Sequence, residues 1–351
     1  ETITDPYGLV ITRREYDENG NAVKEYDAKG NAAVYSYDLA GRLASATDRE
    51  GGQTTYECNH YGQVTEQTDA LGNTTGYKYD AAGRLAAVTD PLGVSVTYGY
   101  NKAGDKLYMT DGRGKITRYA YGAFGTLRTV TDAGGKTIEY KYDLAGNTAY
   151  ILDRNGSSTL YEYDSRNLMT RKKAPETGET ISYGYDEAGN RVEMSDESGE
   201  TTYAYDANNM LLEVKKDGET QISYTYDETG NINTVTDQEG FAVMYTYDKS
   251  SRMETVTYGG RTVTYTYDGN GNRESLQYDG GVRIEYNYDK NNRLLTLRNK
   301  KAGGGTISQY SYTYDRAGRQ VAKTDSYGTT EYTYDEAGRL LKAEAPGKTA
   351  V

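Results

Sequence analysis

The combination of side chains that most suggests chemistry is a stretch of carboxylates and amides near residue 270. Asp268, Asn270 and Asn272 alternate like the first three ligands of a calcium-binding loop, and Asp279 falls at the twelfth position. Arg273, however, stands where such a loop needs glycine, and its twelfth ligand is usually glutamate. Because the stretch also fits an ordinary turn, we predict no calcium site here.

Histidine and cysteine chemistry is restricted by the residue counts. His60 is the single histidine and Cys58 the single cysteine, so multi-histidine metal sites are excluded and catalytic triads are hard to assemble. Both residues stand at positions of a repeated pattern, and we interpret Cys58 as a small core substitute. Carboxylate pairs are too abundant for any one pair to indicate a glycosidase. We therefore predict no catalytic, cofactor-binding or metal-binding residue, and no enzyme activity.

An internal repeat of about 21 residues positions all of these side chains. The phrase Tyr-x-Tyr-Asp-x-x-Gly-Arg-Leu is clearest at Tyr35–Leu43, Tyr77–Leu85 and Tyr332–Leu340. Successive anchors lie 20 to 22 residues apart with a single gap of 26, and the sixteen anchors are Asp17, Asp38, Asn59, Asp80, Asn101, Gly122, Asp143, Asp164, Asp186, Asp206, Asp227, Asp248, Asp268, Asp289, Asp315 and Asp335. Such a period indicates one small unit stacked on its neighbours. We expect residues 1–351 to form a single array, without a plug, toxin or catalytic domain.

Tyrosine fills two columns of this repeat. It occupies the position before the anchor in fifteen of sixteen units, with Cys58 the exception, and the position three before the anchor in fifteen, with Arg14 the exception. Residues two apart in a strand share a face, and the column between them is small or polar. The alternation predicts an antiparallel strand with one half-buried face, held by cross-strand ladders of tyrosine rather than by an aliphatic core.

Two turns close each repeat. The anchor aspartate, followed three residues later by glycine or by Asn167, Asn209, Asn292 or Ser251, predicts a three-residue hairpin loop with a residue of positive φ and a bulge. A second phrase, Asp-x-x-Gly, recurs about ten residues later, as at Asp69–Gly72. Each repeat therefore has two strands. The segment Lys300–Gly305, inside the 26-residue gap, reads as a lengthened, flexible turn.

Composition limits the classes of partner. A net charge of −12 argues against nucleic acid, because phosphate binding needs a basic stripe. The sequence has no apolar run of membrane-spanning length.

Sixteen two-stranded units give about 32 strands and a sheet about 150 Å long in its hydrogen-bonding direction. A sheet of that length must twist and curl, so we expect a continuous antiparallel ribbon that curls into an open hollow shell or superhelix.

These motifs resemble the YD-repeat, or RHS-repeat, family over nearly the whole chain, from Asp17 to Leu340. The resemblance implies a β-ribbon that spirals into a hollow shell, as in toxin-complex components and RHS toxins, whose shells enclose a toxic C-terminal segment. Other members are wall-associated bacterial proteins and teneurin adhesion ectodomains, and carbohydrate binding has been linked to the repeat. No toxin-type plug or autoproteolytic motif is recognisable, and the repeat pattern stops near Leu341.

The expected function is accordingly a non-enzymatic scaffold, a segment of shell wall in a larger secreted or cell-surface bacterial protein, which encloses a polypeptide cargo or presents a surface. Its partners would be flanking parts of the same polypeptide, with an encapsulated C-terminal toxin as a candidate cargo. The alternative is a carbohydrate-binding adhesion module that recognises glycans through exposed tyrosines. The resemblance implies no cofactor.

Overall fold

The chain folds almost entirely into β-strands. The computed structural model describes residues 1–4, 8 and 10–350, and its one helical element there is a short 3-10 turn, Ala123–Gly125. The first ten strands are β1 Thr2–Thr4, β2 Val10–Tyr16, β3 Ala22–Asp27, β4 Ala32–Tyr37, β5 Leu43–Thr47, β6 Gln53–Cys58, β7 Val64–Thr68, β8 Thr74–Tyr79, β9 Leu85–Thr89 and β10 Ser95–Tyr100. The next thirteen are β11 Lys106–Thr110, β12 Ile116–Tyr121, β13 Leu127–Thr131, β14 Thr137–Tyr142, β15 Thr148–Leu152, β16 Ser158–Tyr163, β17 Met169–Lys173, β18 Thr180–Tyr185, β19 Arg191–Asp196, β20 Gly199–Tyr205, β21 Leu211–Lys216, β22 Glu219–Tyr226 and β23 Ile232–Asp237. The last eleven are β24 Ala242–Tyr247, β25 Met253–Tyr258, β26 Arg261–Tyr267, β27 Arg273–Tyr278, β28 Arg283–Tyr288, β29 Leu294–Lys300, β30 Thr306–Tyr314, β31 Gln320–Asp325, β32 Gly328–Tyr334, β33 Leu340–Ala345 and β34 Lys348–Ala350.

The strands form one antiparallel sheet in which each strand pairs with the next along the chain. Even-numbered strands from β2 to β32 end in the tyrosine columns, and the anchor residue follows each of them. The predicted all-β fold of hairpins is therefore confirmed, with 34 strands in place of about 32. The two additional strands are β1, which pairs with β2, and β34, which pairs with β33 and extends the sheet beyond Leu341.

The first turns, which are those opened by the anchors, have the predicted geometry, with the turn at Gly122 as the exception. In the turn at Asp80, the Asp80 amide donates to the Arg84 carbonyl at 2.8 Å and the Gly83 amide donates to the Asp80 carbonyl at 2.9 Å. Gly83 has φ +80°, and the pairing register shifts between Lys78 and Tyr79, which is the expected bulge. The non-glycine residues at the same position also have positive φ, as predicted: Asn167, Asn209, Ser251 and Asn292.

The second turns lie at the other edge of the ribbon, and the turn in the 26-residue gap differs from its prediction. Lys301 and Gly305 close that turn with the same two backbone hydrogen bonds that close the turn at Asp69. The extra residues lie instead in the flanking strands, because β29 has 7 residues and β30 has 9. The glycine run thus forms an ordinary turn between longer strands.

Contacts divide the chain into two compact units. Unit 1 comprises residues 1–95 and 246–351, and unit 2 comprises residues 96–245. Neither unit has a conventional core: the buried hydrophobic residues among those described are Ala33, 7% exposed, and Leu276, 9% exposed. Most strand residues are half-buried, as expected for a sheet whose stability depends on contacts within a single layer.

Candidate functional site: the contact between early and late repeats

The residues that mimic a calcium loop do not converge on a common point. Asp268 lies in a first turn, whereas Asp279 follows β27 at the other edge of the ribbon, where its carboxylate accepts the Thr262 amide at 2.5 Å. A strand of six residues separates the two. No group of potential metal ligands is found among the described residues.

A lysine from an early repeat contacts this turn instead. The Lys29 ammonium donates to the Asp268 carboxylate at 2.6 Å, and the Lys29 amide donates to the Asn270 side-chain oxygen at 3.0 Å. The Asn270 side-chain amide in turn donates to the Asp27 carboxylate at 2.8 Å. Burial by itself would raise the pKa of Asp268, but the hydrogen bonds from Lys29 and Asn272 outweigh it and lower that pKa. The cluster therefore joins two turns about 240 residues apart in sequence.

The same kind of contact recurs one repeat further along. The Arg49 amide donates to the Asn291 side-chain oxygen at 3.0 Å, and the Lys290 amide donates to the Glu50 carboxylate at 2.8 Å. Gly52 lies so close to the next late turn that a Cβ at this position would be 2.4 Å from the Arg316 carbonyl oxygen. A side chain at residue 52 would thus force the two segments apart.

Four successive early turns face four successive late turns in unit 1, and we call this contact the seam. Beyond the direct hydrogen bonds, Asp69 lines one cavity together with Arg319, and Pro91 of the turn at Asp90 lines it together with Glu336 of the turn at Asp335. Arg319 also contributes to lowering the pKa of Asp69. The seam joins the second turns at Asp27, Asp48, Asp69 and Asp90 to the first turns at Asp268, Asp289, Asp315 and Asp335. It is therefore an edge-to-edge contact of the ribbon with itself.

An anchor carboxylate organises most first turns, and in many of them it pairs with the side chain four positions later. Asp80 accepts the Ala82 and Arg84 amides through Oδ1 and the Arg84 guanidinium through Oδ2. These hydrogen bonds, chiefly the one from the Arg84 side chain, lower the pKa of Asp80. This pairing of Arg84 was not predicted from the sequence.

The arginine of this pair also contacts the following repeat. Arg252 lies 4.7 Å from the ring centroid of Tyr267, and the pairs Arg293 and Tyr314, and Arg319 and Tyr334, repeat that arrangement. Aspartate, arginine and tyrosine thus form a chain from one repeat to the next. The recurrence of arginine four residues after the anchor is the feature of the sequence from which this pairing could have been predicted.

The tyrosine before most anchors bonds a backbone carbonyl of the preceding repeat, whereas Tyr16 bonds the Glu1 carboxylate. Tyr79 donates its hydroxyl to the Val64 carbonyl at 2.8 Å. The pairing of β7 with β8 ends at Glu66 and Gly76, so Val64 lies beyond the last backbone pair of these two strands. The tyrosine hydroxyl therefore supplies the Val64 carbonyl with a donor that the backbone of β8 does not provide. The same bond, always to the residue five after the preceding anchor, is made by Tyr37, Tyr121, Tyr142, Tyr163, Tyr185, Tyr205, Tyr226, Tyr267, Tyr288, Tyr314 and Tyr334.

The tyrosines do not stack into the expected ladder. The strand between two tyrosine-bearing strands separates their rings by about 9.6 Å, twice the strand spacing. Their direct partners are mostly aliphatic: Tyr77 pairs with Val88, and Tyr265 pairs with Leu276. The ring pair found among the described residues is His60 with Tyr61, at 3.7 Å between centroids. The tyrosine columns therefore hold the sheet through aliphatic neighbours, cations and carbonyls.

A cavity of about 660 Å³ opens beside the seam in unit 1. Tyr35 and Tyr77 contribute aromatic surface, Gln67 contributes an amide, and Arg316 and Glu336 from the late repeats contribute opposite charges. Cys58 and His60 lie elsewhere: Cys58 is half-buried at the end of β6, and His60 is in the turn that follows. The cavity thus combines a mixed aromatic and polar lining with no recognisable catalytic pair.

Comparison with known protein families agrees with this architecture. The RHS repeat model matches residues 16–55, 37–74, 59–94 and 79–106, and the Teneurin YD-shell model matches residues 190–271 and 239–351. The chain belongs to the YD-repeat family. A search of curated protein sequences finds no match for this YD-repeat chain.

Solved structures show the same fold at low sequence identity. The crystal structure of TcdB2-TccC3-TEV aligns with a TM-score of 0.81 and 15% identity over 95% of this YD-repeat chain. TcdB2-TccC3 without its hypervariable C-terminal region aligns with a TM-score of 0.76 and 15% identity over 97% of it. The chain spans 21% and 24% of those two chains, respectively. At this level of identity the likeness establishes a shared fold.

Among the residues described, none belongs to a helix with the length and apolarity needed to cross a membrane.

Proposed function

We propose that this YD-repeat chain is a non-enzymatic segment of shell wall in a larger protein, and that the wall encloses a polypeptide cargo. The observation that carries the proposal is the seam, because edge-to-edge bonding of early and late turns makes neighbouring ribbon segments into a continuous surface in unit 1. A wall that encloses cargo needs such lateral sealing as well as pairing along the ribbon.

The role fits a single array over residues 1–351 with no plug, toxin or catalytic domain of its own. The cargo would then be a flanking part of the same polypeptide, with a C-terminal toxin as the expected case, and the parent a secreted or cell-surface bacterial protein. The match to TcdB2-TccC3, one structure of which is without its hypervariable C-terminal region, supports this assignment.

The enclosure can be tested by labelling the two sheet faces with reagents of different size. In a Cys58→Ser background, single cysteines would replace Lys78 and Val88, which lie on opposite faces of adjacent strands. Lys141 and Ile151 provide an equivalent pair in unit 2. Each is treated with a small maleimide and with one that carries a long polyethylene glycol chain.

We expect the ratio of large-reagent to small-reagent rates to be much lower on one face, and on the same face in both units. The ratio cancels the intrinsic reactivity of each thiol, and circular dichroism checks the fold of each variant. Equal ratios on the two faces, or opposite results in the two units, contradict the enclosure.

The second candidate function is a carbohydrate-binding adhesion module, and the cavity beside the seam favours it. Sugar rings pack against aromatic side chains and exchange hydrogen bonds with amides and charged groups, and Tyr35, Tyr77, Gln67 and Glu336 supply these chemistries. Binding to a glycan panel that is lost in Gln67→Ala, with unchanged thermal stability, would support this function. An absence of binding across the panel would remove it.

A further inference from the structure

The seam occupies one edge of the early repeats and one edge of the late repeats in unit 1. The early repeats use their second turns and the late repeats use their first turns. The remaining edges are therefore the first turns of the early repeats and the second turns of the late repeats. These two edges are of the same two kinds that bond each other in the seam.

Both remaining edges carry exposed apolar side chains. At the early first turns, Leu39 is fully exposed and Tyr61 is 77% exposed. At the late second turns, Tyr327 is 87% exposed, and Ile307, beside the turn at Lys301, is 53% exposed. Loop tips that face only solvent have no need of large apolar residues, and such residues commonly mark interaction surfaces.

The two remaining edges also carry residues of opposite charge. In the seam, either kind of turn supplies the acid: Asp268 of a first turn pairs with Lys29, whereas Glu50 of a second turn accepts the Lys290 amide. On the remaining edges, the early first turn at Asp17 carries exposed Glu18, and the late second turn carries exposed Lys301. These two charges complement each other, as those of Asp268 and Lys29 do in the seam.

We propose that the early first-turn edge of one copy of this chain docks on the late second-turn edge of a second copy. The contact repeats between molecules the edge-to-edge bonding that the seam makes within one molecule. The contact is heterologous, because two different patches meet. Every dimer therefore keeps one unused early first-turn edge and one unused late second-turn edge. Copies should consequently add head to tail into stacks.

The experiment is sedimentation velocity of the full 351-residue chain over a range of concentrations. The first variant, Leu39→Glu with Tyr61→Glu, blocks the early first-turn edge. The second variant, Ile307→Glu with Tyr327→Glu, blocks the late second-turn edge. Thr333→Glu with Ala120→Glu adds the same charge at exposed positions within strands, away from the turns, and serves as the matched control.

We expect the native chain and the control to grow with concentration, and each edge variant to remain a 38.8 kDa monomer. Mixed in equal amounts, the two edge variants should form a dimer that grows no further, because each retains the edge that the other lacks. This complementation separates the proposed contact from a symmetric one.

Four results would overturn the proposal. They are a native chain that stays monomeric at every concentration, association that survives both pairs of substitutions, association that depends on one edge alone, and a mixture that forms no dimer. Association that survives both pairs would indicate pairing of the terminal strands β1 and β34 instead. The proposal depends on the seam and not on the enclosure of cargo, so the labelling experiment and this one can fail separately.

Discussion

The anchor aspartate has three tasks at the scale of one residue. Its carboxylate caps the turn amides, holds the guanidinium or amide four residues later, and through that group connects to the next tyrosine. One oxygen accepts the backbone donors and the other accepts the side chain. Where the anchor is Gly122, the chain forms the short 3-10 turn in place of this arrangement, and Phe124 has positive φ.

Cys58 interrupts the tyrosine column, and replacing it by tyrosine should stabilise the protein. The new ring would lie beside Arg42, in the arrangement of Tyr267 and Arg252. Its hydroxyl could reach the Leu43 carbonyl, the equivalent of the Val64 acceptor for Tyr79. A net hydrogen bond contributes about 1 kcal/mol. We expect Cys58→Tyr to raise the free energy of unfolding by about that amount in urea titrations, whereas Cys58→Phe should gain less.

Gly83 and Arg84 test the turn directly. Valine at residue 83 must adopt φ +80°, which costs about 1–2 kcal/mol for an L-residue and more when the side chain is β-branched. Arg84→Ala removes a half-exposed ion pair with Asp80, which contributes about 0.2–1 kcal/mol. Gly83→Val should therefore lower the melting temperature more than Arg84→Ala. Equal shifts would contradict the turn assignment.

At the level of the element, each strand depends on both neighbours, because Ala33 and Leu276 are the only buried hydrophobic residues in the part of the chain that the structure describes. Tyr185 shows this dependence: its hydroxyl donates to the Met169 carbonyl at 2.8 Å, and its strand, β18, pairs with β17 and β19. Burial raises the pKa of this hydroxyl, so the group remains a donor at neutral pH. In such an array, stability is a sum of repeat and neighbour terms.

Position along the ribbon should then decide the cost of losing a tyrosine. Truncation of a well-packed aromatic side chain costs about 3–5 kcal/mol, and less for these half-buried rings. Tyr334 makes the same carbonyl bond as Tyr185 and contacts Arg319, but only β33 and β34 follow its strand. Because terminal units fray, Tyr185→Ala should lower the urea midpoint more than Tyr334→Ala. A larger effect of Tyr334→Ala would show that the guanidinium contact outweighs position.

At the scale of the whole molecule, the seam joins repeats that are distant in sequence, and Gly52 is its most sensitive position. Alanine there would place Cβ 2.4 Å from the Arg316 carbonyl oxygen, whereas a Cβ at Gly76 would meet nothing within 4 Å. Overpacking of this kind costs about 1–3 kcal/mol. Gly52→Ala should therefore destabilise the protein more than Gly76→Ala, and should speed hydrogen exchange at residues 48–52 and 315–319. Unchanged exchange in both segments would show that the seam does not hold them.

Acidic pH should lower the stability of the fold by protonating the anchor aspartates of its turns. The pKa values of many anchor aspartates, including Asp38, Asp80, Asp143 and Asp186, are lowered by hydrogen bonds from the residue four positions later. A lowered folded-state pKa means that the unfolded chain binds protons first, so stability falls as the pH drops from about 4 through the folded values. Thermal melts should be constant above about pH 5 and decline below it. A midpoint that does not change down to about pH 3 would contradict this linkage.

The repeat can be predicted from the amino-acid sequence alone, because the interactions that form it are local. A positive φ three residues after the anchor requires glycine or a tolerant substitute, so Asn167 and Ser251 could be assigned from residue type alone. Alternation within Tyr-x-Tyr likewise specifies a strand and a shared face. The absence of stacking between tyrosines also follows from two strands per repeat, although the motif alone suggested a ladder.

The seam, and the contacts that the residues near 270 make in it, could be recognised only in the three-dimensional structure. Neither Lys29 nor Asn270 stands in a sequence pattern that predicts their contact. Whether two turns so distant in sequence meet depends on the twist of the strands. Small changes at each hairpin add over the whole ribbon, so no local pattern can predict which turns meet. For the same reason, Gly52 looks like an ordinary turn residue until the carbonyl of Arg316 is found against it.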